Sequence, residues 1–390
     1  MAIYLDHNAT APLRPEVREA MAAAWDQWGS PQSVHAWGRR ARAVVEDARE
    51  QVAALVGCEA RQVTFTSGAT EANNTVLKGH ALTTGGRGAI LVGASEHASV
   101  RQTARYLQER GYATAEIPVD GEGRVTAEAL RRALDAHAPV SLVSVMWANN
   151  ETGTLQPMAE LAAVCAEAGV PLHSDAVQAA GKVGLTWGMP GLAALSLSAH
   201  KLSGPQGVGA LIRDDAALGL DPLMHGGGHE RDRRAGTENV AGIAGFGRAA
   251  DLARRGLATH AERTRALRDR LEARLGAGAA RAEVVSGGAE RLPNTSCLLL
   301  PGAEAETLLM RLDLEGIAVS SGSACASGGL QPSAALLAMG YSAEQARCAI
   351  RVSLGPNTTA EELDQFAERL EAIVAELRPQ GTVSREPSPG

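Results

Sequence analysis

Apolar runs of strand length alternate with helix-period stretches along the first two thirds of the chain. The runs lie at 89–95, 141–149, 169–177, 192–200 and 207–214 and predict buried strands. The periodicity of 97–111, 126–138 and 157–169 predicts helices, the last with Pro157 near its start and Gly169 at its stop. Strands and helices in alternation predict an α/β fold with a mainly parallel sheet covered on both faces.

From about Thr237 the pattern changes to long helical stretches, which reach to about residue 276. Short strand candidates follow at 294–300 and 316–324, and helices then continue to about Leu377. This change predicts a smaller α+β domain after the large one, bridged to it by long helices. The tail at 379–390 is rich in Pro, Gly and Ser and is predicted to be disordered.

Charge and composition exclude some classes of function. The 390 residues contain 37 Lys and Arg against 44 Asp and Glu, and the net charge of -7 lacks the basic excess of nucleic-acid-binding proteins. The N-terminal sequence shows neither a cationic nor an apolar leader, and no run approaches about 18 consecutive apolar residues. We therefore expect a cytoplasmic enzyme with no nucleic-acid or membrane partner.

Four of the five cysteines lie within or beside apolar or helical pattern, where free cysteine behaves as a small hydrophobe. No C-x-x-C pair occurs, so neither a disulfide framework nor a zinc cluster is indicated. Cys325 differs because it lies in "SSGSACASGGLQPS", among small and flexible residues. From this segment alone, an exposed loop with an incidental thiol is an equally good interpretation.

Polar side chains follow four of the predicted strands, where ligands bind in open α/β sheets. They are His97, Asn149, Asn150, Asp175, Gln178, Ser198, His200 and Lys201. A carboxylate and a lysine amine at inner strand ends both need partners. Pyridoxal phosphate satisfies both, because it takes lysine as a Schiff base and requires an acid beside its pyridinium nitrogen. The turn "FTSGATEANN" would supply backbone donors for the phosphate, although helix capping alone also explains it.

Competing motifs are absent or weak. The sequence has no G-x-G-x-x-G after a strand, no G-x-x-x-x-G-K-[ST] and no H-E-x-x-H. His225 and His229 are spaced i, i+4, but three glycines lie between them and disfavour a metal-presenting helix. A glycine-rich loop, with an Arg-rich end that is solvated or contacts another subunit, is the simpler interpretation.

Taken together, the motifs resemble the cysteine desulfurases of the NifS/IscS class, in the class V group of pyridoxal-phosphate enzymes. They are "YLDHNATAP", "FTSGATEANN", "SEHASV", "SVMWANNETGTLQP", "HSDAVQAAGKV", "SAHKLSGPQGVGAL", "HGGGHERDRRAGTENV", "LPNTS", "VSSGSACASGGLQPS" and "IRVSLGPNTT". The resemblance implies a homodimeric fold-type I transferase. We place its large α/β domain at 15–255 and its small α+β domain, with the catalytic-cysteine loop, at 1–14 and 256–378.

The resemblance also implies roles for individual residues. The catalytic residues would be Lys201 as the Schiff-base lysine, His97 as the ring-stacking proton carrier, and Cys325 as the nucleophile. Asp175 would pair with the pyridinium nitrogen and Gln178 with the ring oxygen. The other cofactor-binding residues would be Asn150 and, around the phosphate, Ala69, Thr70, Ser198, Ala199, His200 and, from the other subunit, Thr237. Asn150 and Arg351 would bind the substrate, Arg351 through its carboxylate.

The implied reaction converts L-cysteine to L-alanine and leaves a persulfide on Cys325. A sulfur acceptor or iron–sulfur scaffold protein would receive that sulfur, for iron–sulfur cluster assembly. No stable metal site is expected, and Cys325 would at most be a transient iron–sulfur ligand shared with the scaffold. Selenocysteine lyase or cysteine sulfinate desulfinase activity on the same scaffold, or an idle sulfur-relay subunit, are the alternatives.

Overall fold

Strands and helices alternate through most of the chain. The computed structural model describes residues 2–321 and 331–378, together with the backbone of 325–326 and 329–330. The strands are β1 Ile3–Tyr4, β2 Val63–Thr66, β3 Ala89–Gly93, β4 Thr114–Ile117, β5 Val140–Ser144, β6 Leu172–Asp175, β7 Leu192–Ser198, β8 Gly209–Arg213, β9 Glu283–Val284, β10 Thr295–Leu299, β11 Ile317–Ala318, β12 Cys325–Ala326, β13 Gly329–Leu330 and β14 Ala349–Ser353. The helices are α1 Pro15–Trp25, α2 Ala36–Val56, α3 Ala69–Thr83, α4 Ala98–Gln108, α5 Ala127–Ala136, α6 Met158–Ala168, α7 Val240–Ala277, α8 Ala305–Leu314, α9 Ala334–Ala338, α10 Ala343–Arg347 and α11 Ala360–Leu377.

A seven-stranded sheet forms the centre of the larger part, in the order β2-β8-β7-β6-β5-β3-β4. Its strands run parallel except β8, which is antiparallel to both of its neighbours. Along β3, Leu91 packs into the large core on one face, whereas Ile90 and Val92 pack into a separate cluster on the other. The sheet is therefore covered on both sides, and the predicted α/β fold with a mainly parallel sheet is confirmed.

Local signals explain the ends of several helices. Helix α6 begins after Pro157 and ends at Gly169, whose φ of 66° is a left-handed conformation that glycine adopts without steric cost. His97 caps the N-terminus of α4, because its ring accepts the Ser99 backbone N–H. The polar residue that follows β3 is thereby fixed at the edge of the sheet.

A single helix, α7, replaces the two helical stretches that the sequence predicted. Its 38 residues extend for about 57 Å at 1.5 Å per residue. Phe246 packs into the large core, on one face of the sheet, and Leu271 and Leu275 pack into a second, small core. Because α7 passes residue 255 without a break, the predicted boundary between 255 and 256 stays a prediction.

The small core holds the second, antiparallel sheet, of order β14-β10-β9. The N-terminal residues Ile3 and Leu5 pack there beside Phe366 of α11. Within β14, Arg351 lies opposite Cys297 of β10. This strand brings Arg351 to the side of the small core that faces the large sheet.

Candidate active site

A cleft of about 1010 Å³ lies between the carboxyl edge of the large sheet and the small core. Residues from both sides line it, so neither core forms it alone. Most of the predicted site residues are among them. These are Ala69, Thr70, His97, Asn150, Asp175, Gln178, Ser198, His200, Lys201 and Arg351.

Two of the other three predicted residues do not line this cleft, and the side chain of the third lies outside the described residues. Ala199 is completely buried behind Ser198 and His200. Thr237 is exposed and absent from the cleft lining, and its predicted role concerns the other subunit. The side chain of Cys325 lies outside the described residues, although its backbone pairs with that of Leu330. The predicted tail at 379–390 lies outside them as well.

Lys201 points into the cleft from the turn that follows β7. Its Nζ donates to the backbone oxygen of Asn8 at 2.5 Å and of Ala9 at 2.7 Å. Burial, and then the positive charge of Arg351, lowers the pKa of Lys201 to about 8. At pH 7 about a tenth of this amine is therefore unprotonated and nucleophilic, far more than for an ordinary lysine.

Asp175 ends β6 with a buried carboxylate. Oδ2 accepts a hydrogen bond from Asn73 Nδ2 at 2.8 Å, and Oδ1 accepts one from the Val177 backbone N–H at 3.1 Å. No lysine or arginine within the described residues forms an ion pair with it. A buried carboxylate that is met only by neutral donors favours a cationic partner, and a protonated pyridine nitrogen is such a group.

A hydrogen-bond chain joins Asp175 to His97. Asn73 also donates to Ser99 Oγ at 2.8 Å, and that hydroxyl lies 2.8 Å from His97 Nδ1. The Ser99 backbone N–H approaches the same Nδ1 at 3.1 Å and can only donate, so Nδ1 is an acceptor. We assign the proton of the neutral ring to Nε2, which leaves it available in the cleft.

The N-terminus of α3 supplies donors for a phosphate. Its N-cap, Gly68, makes no side-chain capping bond, so the first backbone N–H groups of the helix remain available. Ser198 and His200 line the same cleft. Burial lowers the pKa of His200 to about 4, so this imidazole is uncharged at neutral pH. The amine, the acid and these donors together fit pyridoxal phosphate.

Arg351 enters the cleft from β14 and is almost completely buried, at 4 % exposure. Nη2 donates to Asp6 Oδ1 at 2.6 Å and Nη1 to the Asn150 backbone oxygen at 3.1 Å. Within the described residues, its Nε has no hydrogen-bond partner. Arg351 thus places a guanidinium, the group that pairs best with a carboxylate, in the lining of the cleft, with one buried donor that makes no hydrogen bond to the described residues.

The two ends of the segment that contains Cys325 are attached to the walls of this cleft. At one end, Ser320 and Arg351 exchange two backbone hydrogen bonds, of 3.2 and 2.6 Å. At the other end, the Ser333 hydroxyl donates to the Glu151 carboxylate and accepts the Leu336 N–H at the start of α9. Both attachment points border the cleft that contains Lys201.

Sequence reasoning missed several polar residues here. Glu96 is buried beside His97, and burial raises its pKa well above the ordinary value. Burial likewise raises the pKa of Glu151 to about 7. Each glutamate is the neighbour of a residue that the strand-end rule selected, His97 or Asn150. That adjacency was a usable signal.

The remaining thiols and histidines show no second centre. Burial raises the pKa of Cys58, Cys165 and Cys297 to about 12, so these thiols stay protonated. His229 bonds Glu238 at 2.9 Å. Across residues 2–321 and 331–378, no three His, Cys, Asp or Glu side chains are grouped so as to hold a metal ion. The same residues contain no helix with the length and apolar character needed to span a bilayer.

Comparison with known proteins places this site in a family. The model for aminotransferase class V matches residues 3–366. The chain is 44% identical to an IscS-like cysteine desulfurase of Mycobacterium tuberculosis, over 96% of this chain and 97% of that protein. It is 45% identical to a cysteine desulfurase of Cereibacter sphaeroides, over 96% of each. A solved structure of a NifS-like protein aligns with a TM-score of 0.89 and 35% identity, over 97% of this chain and 100% of that one.

These matches span nearly the whole length of the chain and of its relatives, and their fold is the fold-type I architecture found here. The cleft of this chain carries an amine, an acid and phosphate donors that fit pyridoxal phosphate. The chain belongs to the class V aminotransferase family and, within it, to the pyridoxal-phosphate-dependent cysteine desulfurases.

Proposed function

We propose that this chain converts L-cysteine to L-alanine in the cytoplasm, carries the sulfur as a persulfide on Cys325, and passes it to an acceptor protein. The observation that carries the proposal is the attachment of the Cys325 segment. Ser320 and Ser333 fasten its two ends to the cleft that contains Lys201 and Asp175. A thiol in a segment attached to the cleft at both ends would be able to meet a substrate bound beside Lys201.

The residues that would hold the cofactor follow from the site. The N-terminus of α3, with Ser198 and His200, would bind its phosphate. Asp175 would pair with the ring nitrogen and Gln178 with the ring oxygen. When bound at Lys201, pyridoxal phosphate supplies an electron sink for the charge that develops at the substrate α-carbon.

The chain's own residues would then bind the substrate and move its protons. Arg351 holds the substrate carboxylate, with Asn150 beside it. Lys201 Nζ, once free and unprotonated, accepts the proton of the α-carbon. His97 holds a proton at Nε2, on the cleft side of its ring, for transfer between substrate and solvent.

Sulfur transfer requires Cys325 as a thiolate. Its sulfur attacks the substrate sulfur, a sulfur–sulfur bond forms, and the carbon–sulfur bond breaks. The electron pair of that bond goes to the substrate β-carbon, which becomes the methyl group of alanine after protonation. The other four thiols do not compete, since they are buried or half-buried.

The finer parts of the proposal concern partners. A homodimer is proposed in which Thr237 of each subunit completes the phosphate site of the other, and its exposure is compatible with that contact. The sulfur would serve iron–sulfur cluster assembly through a scaffold protein, as the resemblance to the NifS/IscS class implies. Cys325 would then be a transient ligand at most.

Mass spectrometry after incubation with L-cysteine tests the proposal. The Cys325 peptide of the wild type is expected to gain one sulfur atom as alanine forms. Cys325→Ala should lose both sulfur uptake and sulfide release, whereas the control Cys58→Ala should keep them because that thiol is half-buried and protonated. Sulfide release that survives Cys325→Ala would contradict the proposal and favour a lyase of the selenocysteine or sulfinate type. A protein without bound cofactor would favour the idle sulfur-relay subunit.

A further inference from the structure

Lysine is rare in this chain, and its positions are informative. Of the 37 basic residues, 34 are arginine, and the lysines are Lys78, Lys182 and Lys201. Lys78 lies over the ring of Tyr106, 4.4 Å from its centroid. The other two border the candidate active site. Because arginine occupies nearly all the other basic positions, the presence of lysine at position 182 needs a physical explanation.

Lys182 is held by neutral acceptors. Its Nζ donates to Gln178 Oε1 at 2.7 Å and to Asn8 Oδ1 at 2.9 Å. No carboxylate among the described residues forms an ion pair with it. The same Asn8 accepts Lys201 Nζ at its backbone oxygen, so one residue links the two amines. A small cavity of about 80 Å³ borders both lysines and leaves room for a longer side chain.

The charges around Lys182 disfavour a second full positive charge. The titratable and charged groups nearby are Lys201, Arg351, His7, His200, Asp6 and Asp175. Asp6 is already paired with Arg351, and Asp175 is bonded by Asn73. Burial, and then the charges of Lys201 and Arg351, lowers the pKa of Lys182 well below its ordinary value. An amine can lose its proton there, whereas a guanidinium cannot.

Lys182 supports one orientation of the Gln178 amide. The Asn8 backbone oxygen can only accept, so the Gln178 atom 3.0 Å from it is the NH₂ nitrogen. The Gln178 atom 2.7 Å from Lys182 Nζ is therefore the carbonyl oxygen, to which the amine donates in either protonation state. The NH₂ end of Gln178 then faces the backbone oxygen of Asn8, 3.0 Å away, and the cleft. A flipped amide would present an acceptor in place of a donor to the cofactor oxygen.

We propose that Lys182 is a positioning residue of the cofactor site, whose amino group donates to Gln178 Oε1 and holds the NH₂ end of Gln178 towards the cleft, without the permanent positive charge that an arginine would place beside Lys201. This inference rests on the proposed function, in which Gln178 donates to the ring oxygen of pyridoxal phosphate bound at Lys201. It explains why a chain so rich in arginine keeps lysine at this position.

The test follows the absorption spectrum of the bound cofactor against pH, in wild type, Lys182→Met and Lys182→Arg, with Lys78→Met as the matched control. The pH at the midpoint of the spectral change reports the loss of the proton on the Lys201 nitrogen. Lys182→Met should raise the midpoint by about half a unit to one unit, because the ring oxygen loses a neutral donor. Lys182→Arg should lower it by about one unit, because a fixed positive charge disfavours that proton. Lys78→Met should keep the wild-type midpoint.

Opposite shifts in the two variants support the inference, and a merely structural disturbance would not produce them. Wild-type midpoints in both, or shifts in the same direction, overturn it. If Lys182→Met does not fold, the arginine variant decides, and an unshifted midpoint there overturns the inference. The spectrum of the wild type is measured first. If the wild type does not bind pyridoxal phosphate, that result refutes the proposed function on which the inference rests.

Discussion

A buried ion pair between Arg49 and Glu230 attaches the glycine-rich loop at 225–237 to the large core, and replacing Glu230 tests its contribution. The Glu230 carboxylate accepts both Arg49 Nη atoms at 2.8 Å and the Phe65 backbone N–H at 2.8 Å. The side chains are only 4% and 2% exposed. In Glu230→Ala, the guanidinium therefore remains buried without its main partner.

The expected loss can be estimated from these contacts. Breaking a buried pair by removing one partner costs about 3–5 kcal/mol. Glu46 lies 3.2 Å from Arg49 Nε but is 44% exposed, so it compensates only weakly. Residues 230–232 also have left-handed φ values of 49°, 58° and 63°, and without the Glu230 anchor this strained backbone can relax. We therefore expect a loss near the lower limit, about 3 kcal/mol in the free energy of unfolding.

Urea unfolding of wild type, Glu230→Ala, Arg49→Met and the double variant measures this loss. The double variant should lose less than the sum of the two singles, because it leaves no unpaired charge buried. Glu46→Ala is the control and should cost less than about 1 kcal/mol. Single variants that each lose less than about 1 kcal/mol, or additive losses in the double variant, would refute the reasoning.

Other expected outcomes concern the cleft. Borohydride reduction of the cofactor-loaded protein should attach the cofactor to Lys201 and to neither other lysine, as peptide mapping will show; a label elsewhere contradicts the site. The pKa of Glu151 is raised from 4.5 to about 7, so between these pH values the folded protein holds a proton that the unfolded chain releases. The free energy of unfolding of the wild type should therefore fall, relative to that of Glu151→Gln, as the pH rises from about 4.5 to 7. Asn73→Ala removes a donor to Asp175 and should weaken cofactor binding about tenfold in equilibrium dialysis. Asn74→Ala, which loses only a bond to backbone, should bind normally, and equal affinity in both variants would count against the role of Asn73.

The strand-end residues could be predicted because parallel strands end at one edge of a sheet. His97 follows β3 and Asp175 ends β6, so the fold brings them into one cleft whatever the details of packing. Cofactor choice then followed from the chemistry of an amine and an acid. The strands β2 and β4, which form the two edges of the large sheet, were missed, and so was β14, which lies in a region predicted to be helical.

Residues that act through long-range contacts could not be predicted in the same way. Lys182 meets Asn8 across 174 positions of sequence, and only tertiary packing creates that contact. The rarity of lysine was the available signal. The sequence predicted more than one helical stretch between about 237 and 276, but a glycine such as Gly256, at a cost of about 1 kcal/mol, does not interrupt a helix that packs along both cores.

The continuity of α7 limits how this molecule can change during evolution. The helix passes from the core beside Lys201 to the core beside Arg351, so it fixes the distance between these two residues across the cleft. One inserted residue would turn everything beyond it by about 100° and advance it by 1.5 Å. Surface loops can lengthen or shorten without such an effect, and we expect variation in length to accumulate there while the register of α7 stays constant.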